Sequence, residues 1–355
     1  MYKTALLKIK RDLINNNNIE IIEQTKAIKQ AAELIVENEV VAFPTETVYG
    51  LGANALQEKA VLKIFEAKGR PTDNPLIVHI SRREQLFKLI KGCILKVADK
   101  LIDEFWPGPL TIIFKKSSQV PQITTASLET VAVRMPSHPI ALALINQTEL
   151  PLAAPSANSS GFPSPTSAEH VYSDLNGKIP LIIDGGICDI GLESTVVEIQ
   201  SEQVNILRPG AITMEMIKKV VGNTHLVKTI NLKEHVKPKS PGMKYKHYSP
   251  STPLWIVKKN SSITKILKKN NINNEKTLII VSSETLQNLK LNQIKARIKN
   301  LGSINDLNYI AKNLFKILRE SDLEDFKLIL IEEVSQKDIG IAVMNRLTKA
   351  ATKII

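Results

Sequence analysis

The residues best suited to chemistry in this chain are cations set at the ends of apolar runs. Lys68-Gly69-Arg70-Pro71-Thr72-Asp73-Asn74-Pro75 packs two cations, a glycine and two prolines into one short loop, and Leu76-Ile77-Val78-His79-Ile80 follows at once. The prolines stiffen the loop and remove two backbone donors. Arg70 offers a planar fork for phosphate or carboxylate, and Lys68 adds a point charge. Arg134 closes the apolar run Val131-Ala132-Val133, and Arg208 ends the run over 204–207. An arginine in such a run wants an anionic partner, either a structural carboxylate or one carried by a ligand. Thr45, Glu46 and Thr47 set hydroxyls and a carboxylate just past Val40-Val41-Ala42-Phe43. Ser156, Asn158, Ser159 and Ser160 follow Leu152-Ala153-Ala154 as a small, hydroxyl-rich loop that lets backbone N–H groups approach phosphate closely. Each segment alone also fits a solvated turn. Together they describe a site that gathers several anions where ligand groups collect in open α/β sheets.

Strands and helices must aim those loops. Apolar spacing predicts helices over 21–36, 57–68, 83–91, 96–105, 139–146 and 168–174, and one over 213–220 capped by Thr213. Strands are expected over 40–43, 76–80, 110–114, 130–136, from 152, over 181–184, within 191–199 and over 204–207. Residues 1–18 end in Asn15-Asn16-Asn17-Asn18 and read as a frayed leader. Gly50-x-Gly52-x-x-Ala55 formally matches a dinucleotide fingerprint. That fingerprint needs its first glycine directly after a strand, and here a polar stretch intervenes, so the match does not carry; the segment fits ligand groups at a strand end or a polar turn with glycines for tight backbone. Trp106-Pro107-Gly108-Pro109 reads as a structural turn.

Residues 222–252 change character and become polar, basic and proline-bearing. They carry Lys244, Tyr245, Lys246, His247 and Tyr248 between Pro241 and Pro250, too dense in aromatic and cationic groups for a plain spacer. From 254 a strand–helix alternation restarts, with strands over 254–257, 278–281 and 326–331 and helices over 263–268, 307–318 and 341–352. Such alternation implies a small parallel sheet. The expected organisation is a catalytic domain over 15–221, a linker or lid over 222–252 and a C-terminal α/β domain over 253–355.

A length of 355 residues suits two domains or one large one, and 43% hydrophobic residues suffice for ordinary cores. No apolar run approaches the roughly 18 residues that span a membrane. No signal-peptide pattern opens the chain. Cys93 and Cys188 lie far apart without a CxxC, and the 6 histidines form no HExxH. Neither a disulfide framework nor a zinc site is expected, and a cytoplasmic protein is. The net charge of +12 fits a polyanionic partner such as nucleotide or RNA.

Taken in order, the motifs resemble the YrdC family: Phe43-Pro-Thr-Glu-Thr-Val-Tyr-Gly-Leu-Gly, Lys68-Gly-Arg-Pro with Asn74-Pro-Leu, Val133-Arg-Met-Pro, Ala154-Pro-Ser-Ala-Asn, Glu193-Ser-Thr and Leu207-Arg-Pro-Gly. The segment over 240–250 and the added C-terminal region resemble the family's two-domain form, the threonylcarbamoyl-AMP synthases. The resemblance implies a twisted α/β sheet around a concave basic cavity, followed by a small Rossmann-like parallel-sheet domain. It implies a reaction of L-threonine, bicarbonate and ATP, with Mg²⁺ on the nucleotide, that yields threonylcarbamoyl-AMP and pyrophosphate. Other proteins would then pass the group to an adenosine in tRNA. Lys68 and Arg70 are the implied catalytic cations. Thr45, His79, Arg134, Ala154 and Ser194 are implied for threonine. Asn74, Thr130, Ser156, Ser164, Arg208, Tyr245 and His247 are implied for ATP, with Tyr245 and His247 on a lid, and no protein-built metal site is expected. A non-catalytic double-stranded RNA-binding protein of the same fold is the alternative. The related domain of hydrogenase-maturation carbamoyltransferases fits less well, because it comes with CxxC zinc motifs.

Overall fold

The structure is a computed structural model that describes residues 2–201, 203–222, 226–229, 248–259, 261–269, 272, 274–288 and 296–355. The chain divides into two units, residues 1–160 with 164–245, and residues 161–163 with 246–355.

In the first unit the elements run β1 (Ala5–Lys8), α1 (Arg11–Asn15), α2 (Ile19–Glu23), α3 (Lys26–Val36), β2 (Val41–Phe43), β3 (Gly50–Asn54), α4 (Glu58–Lys68) and β4 (Ile77–His79). They continue with α5 (Leu86–Leu89), α6 (Lys96–Phe105), β5 (Leu110–Lys115), β6 (Thr130–Arg134), α7 (Pro139–Thr148), β7 (Leu152–Ala153) and α8 (Ala168–Leu175). β8 (Leu181–Asp184), β9 (Thr195–Gln200), β10 (Gln203–Arg208), α9 (Met214–Val221) and β11 (Leu226–Thr229) complete it. The strands form one mixed sheet in the order β1-β8-β2-β3-β7-β4-β6-β5-β9-β10-β11.

Alternation along these strands decides what faces the site. Successive side chains point to opposite faces of a sheet. On one face Val78, Ile112, Val131, Val133 and Val197 join the main core, with Leu101 and Phe105 of α6. On the other, Ile77, Ile113, Ala132, Val196 and Leu207 make a small buried patch. Two residues from those apolar positions, on that same second face, stand His79, Thr111, Arg134 and Ser194. The strands thus carry a core on one side and a polar site on the other.

Four expectations change. Residues 1–18 do not fray as a whole: β1 pairs in parallel with β8, Ala5 opposite Leu181. Glycine-rich 50–54 is not a turn but the fully buried strand β3, antiparallel to β2. The helix over 21–36 is broken in two because Thr25 caps α3 by accepting a hydrogen bond from Ile28 N–H. Beyond residue 222, Leu226–Thr229 still belongs to the first sheet, pairing with β10.

The second unit holds β12 (Leu254–Val257), α10 (Ile263–Lys269), β13 (Thr277–Val281), α11 (Ser283–Asn288), β14 (Arg297–Asn300), α12 (Leu307–Glu320), β15 (Leu328–Glu332), α13 (Gly340–Ala350) and β16 (Lys353–Ile354). Its five-stranded sheet has the order β14-β13-β15-β12-β16, with every pair parallel. Within this unit Tyr248 stacks on Phe315 at 5.3 Å, and the buried Arg346 guanidinium lies over the Tyr248 ring. No helix among the described residues is long and apolar enough to cross a membrane.

Candidate functional site

The candidate residues of the first unit fall at the two ends of β4. At its start lies the cationic loop. α4 ends on Lys68, and Gly69 closes the helix in the left-handed conformation, φ 58°, that glycine adopts without strain. The Lys68 ammonium donates to the carbonyls of Ser156, at 2.5 Å, and Asn158, at 2.6 Å. Arg70 donates to the carbonyls of Asn74 and Pro75, at 3.3 and 3.2 Å. Both cations are buried and held by backbone dipoles. Asn74 is buried too, and its Oδ1 has no hydrogen-bond partner. β6 runs parallel to β4 with Ile77 opposite Ala132, so Thr130 belongs to this same end. Thr130 stands four residues from Arg134, about 13 Å along the strand.

At the other end of β4, His79 lies opposite Arg134 on β6 and Arg134 opposite Thr111 on β5. Arg134 Nη1 donates to Thr47 Oγ1 at 2.9 Å, and Nε donates to the Gly108 carbonyl at 3.1 Å. The Trp-Pro-Gly-Pro turn therefore helps to hold the guanidinium. Arg134 Nη2 sits 2.5 Å from Glu46 Oε1. The sequence marks Glu46 as a carboxylate at a strand end between two threonines, but assigns it no role in the site.

Thr45 is occupied locally. Its hydroxyl donates to the Val48 carbonyl, lies 2.7 Å from Thr47 Oγ1 and accepts from the N–H groups of Thr47 and Val48. Thr45 therefore shapes the turn that presents Glu46 and Thr47. The Ser194 and Thr111 hydroxyls lie 2.8 Å apart. Arg208 donates to the Ser194 carbonyl and hydroxyl, which puts it at the Arg134 end rather than beside Lys68 and Arg70. Gly210 permits this: a Cβ there would lie 2.4 Å from Thr195 N. Ser164 donates to Glu193, next to Ser194. Ala154 lies between the two ends, its N–H bonded to the Ile77 carbonyl at 2.9 Å. Its small side chain is buried and packs in the core cluster with Phe43 and Leu152. Tyr245 and His247 lie outside the described residues.

Burial lowers the His79 pKa to about 3, and the charge on Arg134 adds to the effect, so the imidazole is neutral at pH 7. His79 Nδ1 has no hydrogen-bond partner. Burial also lowers His138, to about 4, against the opposing pull of Glu46 and Asp189. Cys188 is pushed up by burial and then by Glu46, so it stays a thiol. Among the described residues no three His, Cys, Asp or Glu side chains gather to hold a metal ion. A cavity of about 570 Å³ lined by Leu95, Ala98, Phe114, Ile199 and neighbouring residues holds none of the candidate residues.

The profile of the Sua5/YciO/YrdC family, described as "Telomere recombination", matches residues 33–210. A second, described as "Threonylcarbamoyl-AMP synthase, C-terminal domain", matches residues 212–352. The threonylcarbamoyl-AMP synthase of Pyrococcus abyssi is 48% identical over 94% of this chain and 96% of its own length. That of Bacillus subtilis is 45% identical over 97% of this chain and 98% of its own. The crystal structure of P. abyssi Sua5 complexed with L-threonine superposes with a TM-score of 0.83 at 43% identity, covering 99% of this chain and 98% of that one.

Proposed function

We propose, from the premise that the chain belongs to the Sua5/YciO/YrdC family and is an enzyme that makes threonylcarbamoyl-AMP, that its first unit joins L-threonine, bicarbonate and ATP across the two ends of β4. The amine nitrogen bonds to the bicarbonate carbon, and water and a proton leave. A carbamate oxygen then attacks the α-phosphorus, and pyrophosphate departs. Both steps bring anions together, so the protein's task is positioning and charge neutralisation.

We assign the nucleotide to the Lys68 end and threonine to the Arg134 end. Lys68 and Arg70 neutralise phosphate oxygens, Asn74, Thr130 and Ser156 contact the nucleotide at that end, and Ser164 contacts it from the Glu193 side. Arg208, beside Ser194, faces the phosphoryl group that reacts. Arg134 receives the threonine carboxylate, while His79 and Ser194 orient the amine and side chain. Ala154 leaves room between them, and Thr45 acts through the turn it builds. Tyr245 and His247, outside the described residues, keep the ATP-binding role that the sequence resemblance implies. Mg²⁺ comes bound to the ATP phosphates. The product serves threonylcarbamoyl transfer to tRNA by other proteins in the cytoplasm, and the net charge of +12 suits a site that also meets RNA.

The observation that carries this reading is the second face of β4 and β6, where His79 and Arg134 stand buried beside Glu46 with hydrogen-bonding atoms unfilled. The test is pyrophosphate release from ATP with Mg²⁺ and bicarbonate, with and without L-threonine. Release should depend on threonine, and mass spectrometry should find the threonylcarbamoyl adenylate. Equal release without threonine would refute the assignment.

A further inference from the structure

Glu46 carries the clearest unanswered chemistry in the molecule. Its side chain is buried, and neither carboxylate oxygen makes a hydrogen bond. Arg134 Nη2 lies 2.5 Å from Oε1, but the two groups are not aligned for a hydrogen bond, and Nη2 also counts as unfilled. A purely structural buried Arg–carboxylate pair is expected to align its donors and acceptors, often in a two-pronged bond, because each unfilled buried polar atom is costly. Here the mismatch is concentrated at one end of β4 and β6. His79 Nδ1, on the strand next to Arg134, is unfilled as well.

The unfilled atoms have a pattern. Two anionic acceptors on Glu46 lie against one cationic donor on Arg134. A free amino acid presents the complement, an ammonium and a carboxylate on one carbon. We propose that Glu46 accepts the ammonium group of the substrate amino acid, with Arg134 beside it receiving the carboxylate. This deepens, and rests on, the reading of L-threonine as substrate. The turn built by Thr45 holds Glu46 at this place, which explains why the Thr45 hydroxyl is spent on backbone rather than offered to a ligand. The arrangement also selects against what the amino acid becomes. Carboxylation of the nitrogen replaces a positive charge by a negative one. The carboxylate that captures threonine then repels its carbamate, away from Glu46 and toward the cations.

Calorimetric titration of the full-length protein tests this with two probes, L-threonine and 2,3-dihydroxybutanoate, in which a hydroxyl replaces the amine. The unaltered protein should bind threonine about 30-fold tighter than the hydroxy acid, the scale of a buried hydrogen bond to a charged group. Glu46→Gln should bring the two within about threefold of each other, mainly by losing threonine. A variant that weakens both probes equally, or keeps the original ratio, would overturn the proposal and leave Glu46 a structural partner of Arg134. If Glu46→Gln does not fold, the ratio in the unaltered protein decides, and equal binding of the two probes overturns the proposal. Failure of the unaltered protein to bind threonine at all, with ATP present, would overturn the proposed function and this inference with it. Threonine binding without the amine preference overturns the Glu46 role alone.

Discussion

His79 makes the stability of the first unit sensitive to mild acid. Its imidazole is buried beside the Arg134 guanidinium, and its pKa falls from 6.5 to about 3 in the folded chain. Between those values the unfolded chain takes up a proton that the folded chain refuses. Stability rises with pH wherever the unfolded state binds more protons, so it must fall on acidification through this window. From pH 7 to pH 5 the unfolded histidine goes from mostly neutral to mostly charged, while the folded one stays neutral. The loss is about 2 kcal/mol for this one side chain. His138, lowered to about 4, adds a similar amount in the same direction. Urea unfolding followed by circular dichroism at pH 7, 6 and 5 measures it. His79→Gln removes the titrating group, and its pH 7-to-5 loss should be smaller than that of the unaltered protein by about 2 kcal/mol. Equal losses in the two proteins would show that His79 is not held neutral in the folded state, and the picture of a dry Arg134 end would fall.

Arg70→Ala should lower turnover per folded molecule by about 10²- to 10³-fold, the cost of one donor to developing charge, and should also lower the melting temperature, because the Asn74 and Pro75 carbonyls lose a buried donor; normal activity per folded molecule would make Arg70 structural alone. Serine lacks one methyl of threonine, so it should react with kcat/KM lower by roughly 10- to 200-fold. Equal rates for glycine, serine and threonine, followed by pyrophosphate release, would discard the side-chain pocket. Gly210→Ala should destabilise by about 3 kcal/mol, because the added Cβ meets backbone at Thr195 N and Glu193 O rather than a movable side chain. An unshifted denaturation midpoint would show that this turn can give way.

The motif strings gave the fold class because loops at strand ends carry unusual chemistry in a fixed order. α6 is where its apolar spacing puts it, since Val97, Ala98, Leu101, Ile102 and Phe105 all reach the core. What escaped notice did so for local reasons. β3 contains two glycines, a residue type depleted in strands, yet it is central and fully buried. Gly52 is there because a Cβ would lie 2.5 Å from the Phe43 ring. β1 carries half-buried and exposed side chains in alternation, too weak a pattern over four residues to mark a strand. Of the site, the cations were legible by type. Their division between the two ends of β4 was not, because register between strands is a long-range property. Glu46 stood out as a strand-end carboxylate, but its role did not, because a carboxylate in a turn is usually solvated and only burial makes it a ligand group.

β1 is made long before the strand it pairs with. Among the described residues β1 pairs in the sheet with β8 alone, whose partner residues begin at Leu181. At 5–20 residues per second, about 10 to 35 seconds of synthesis separate Ala5 from its partner. Through that interval Leu7, half-buried in the finished sheet, lacks its partner strand, although Ile22, Ile28 and Ile35 of the cluster it packs against are already made. An N-terminal fusion or an early pause in translation therefore acts on an unpaired strand rather than on a finished edge. Its effect should be read in the yield of folded protein rather than in the activity of what does fold.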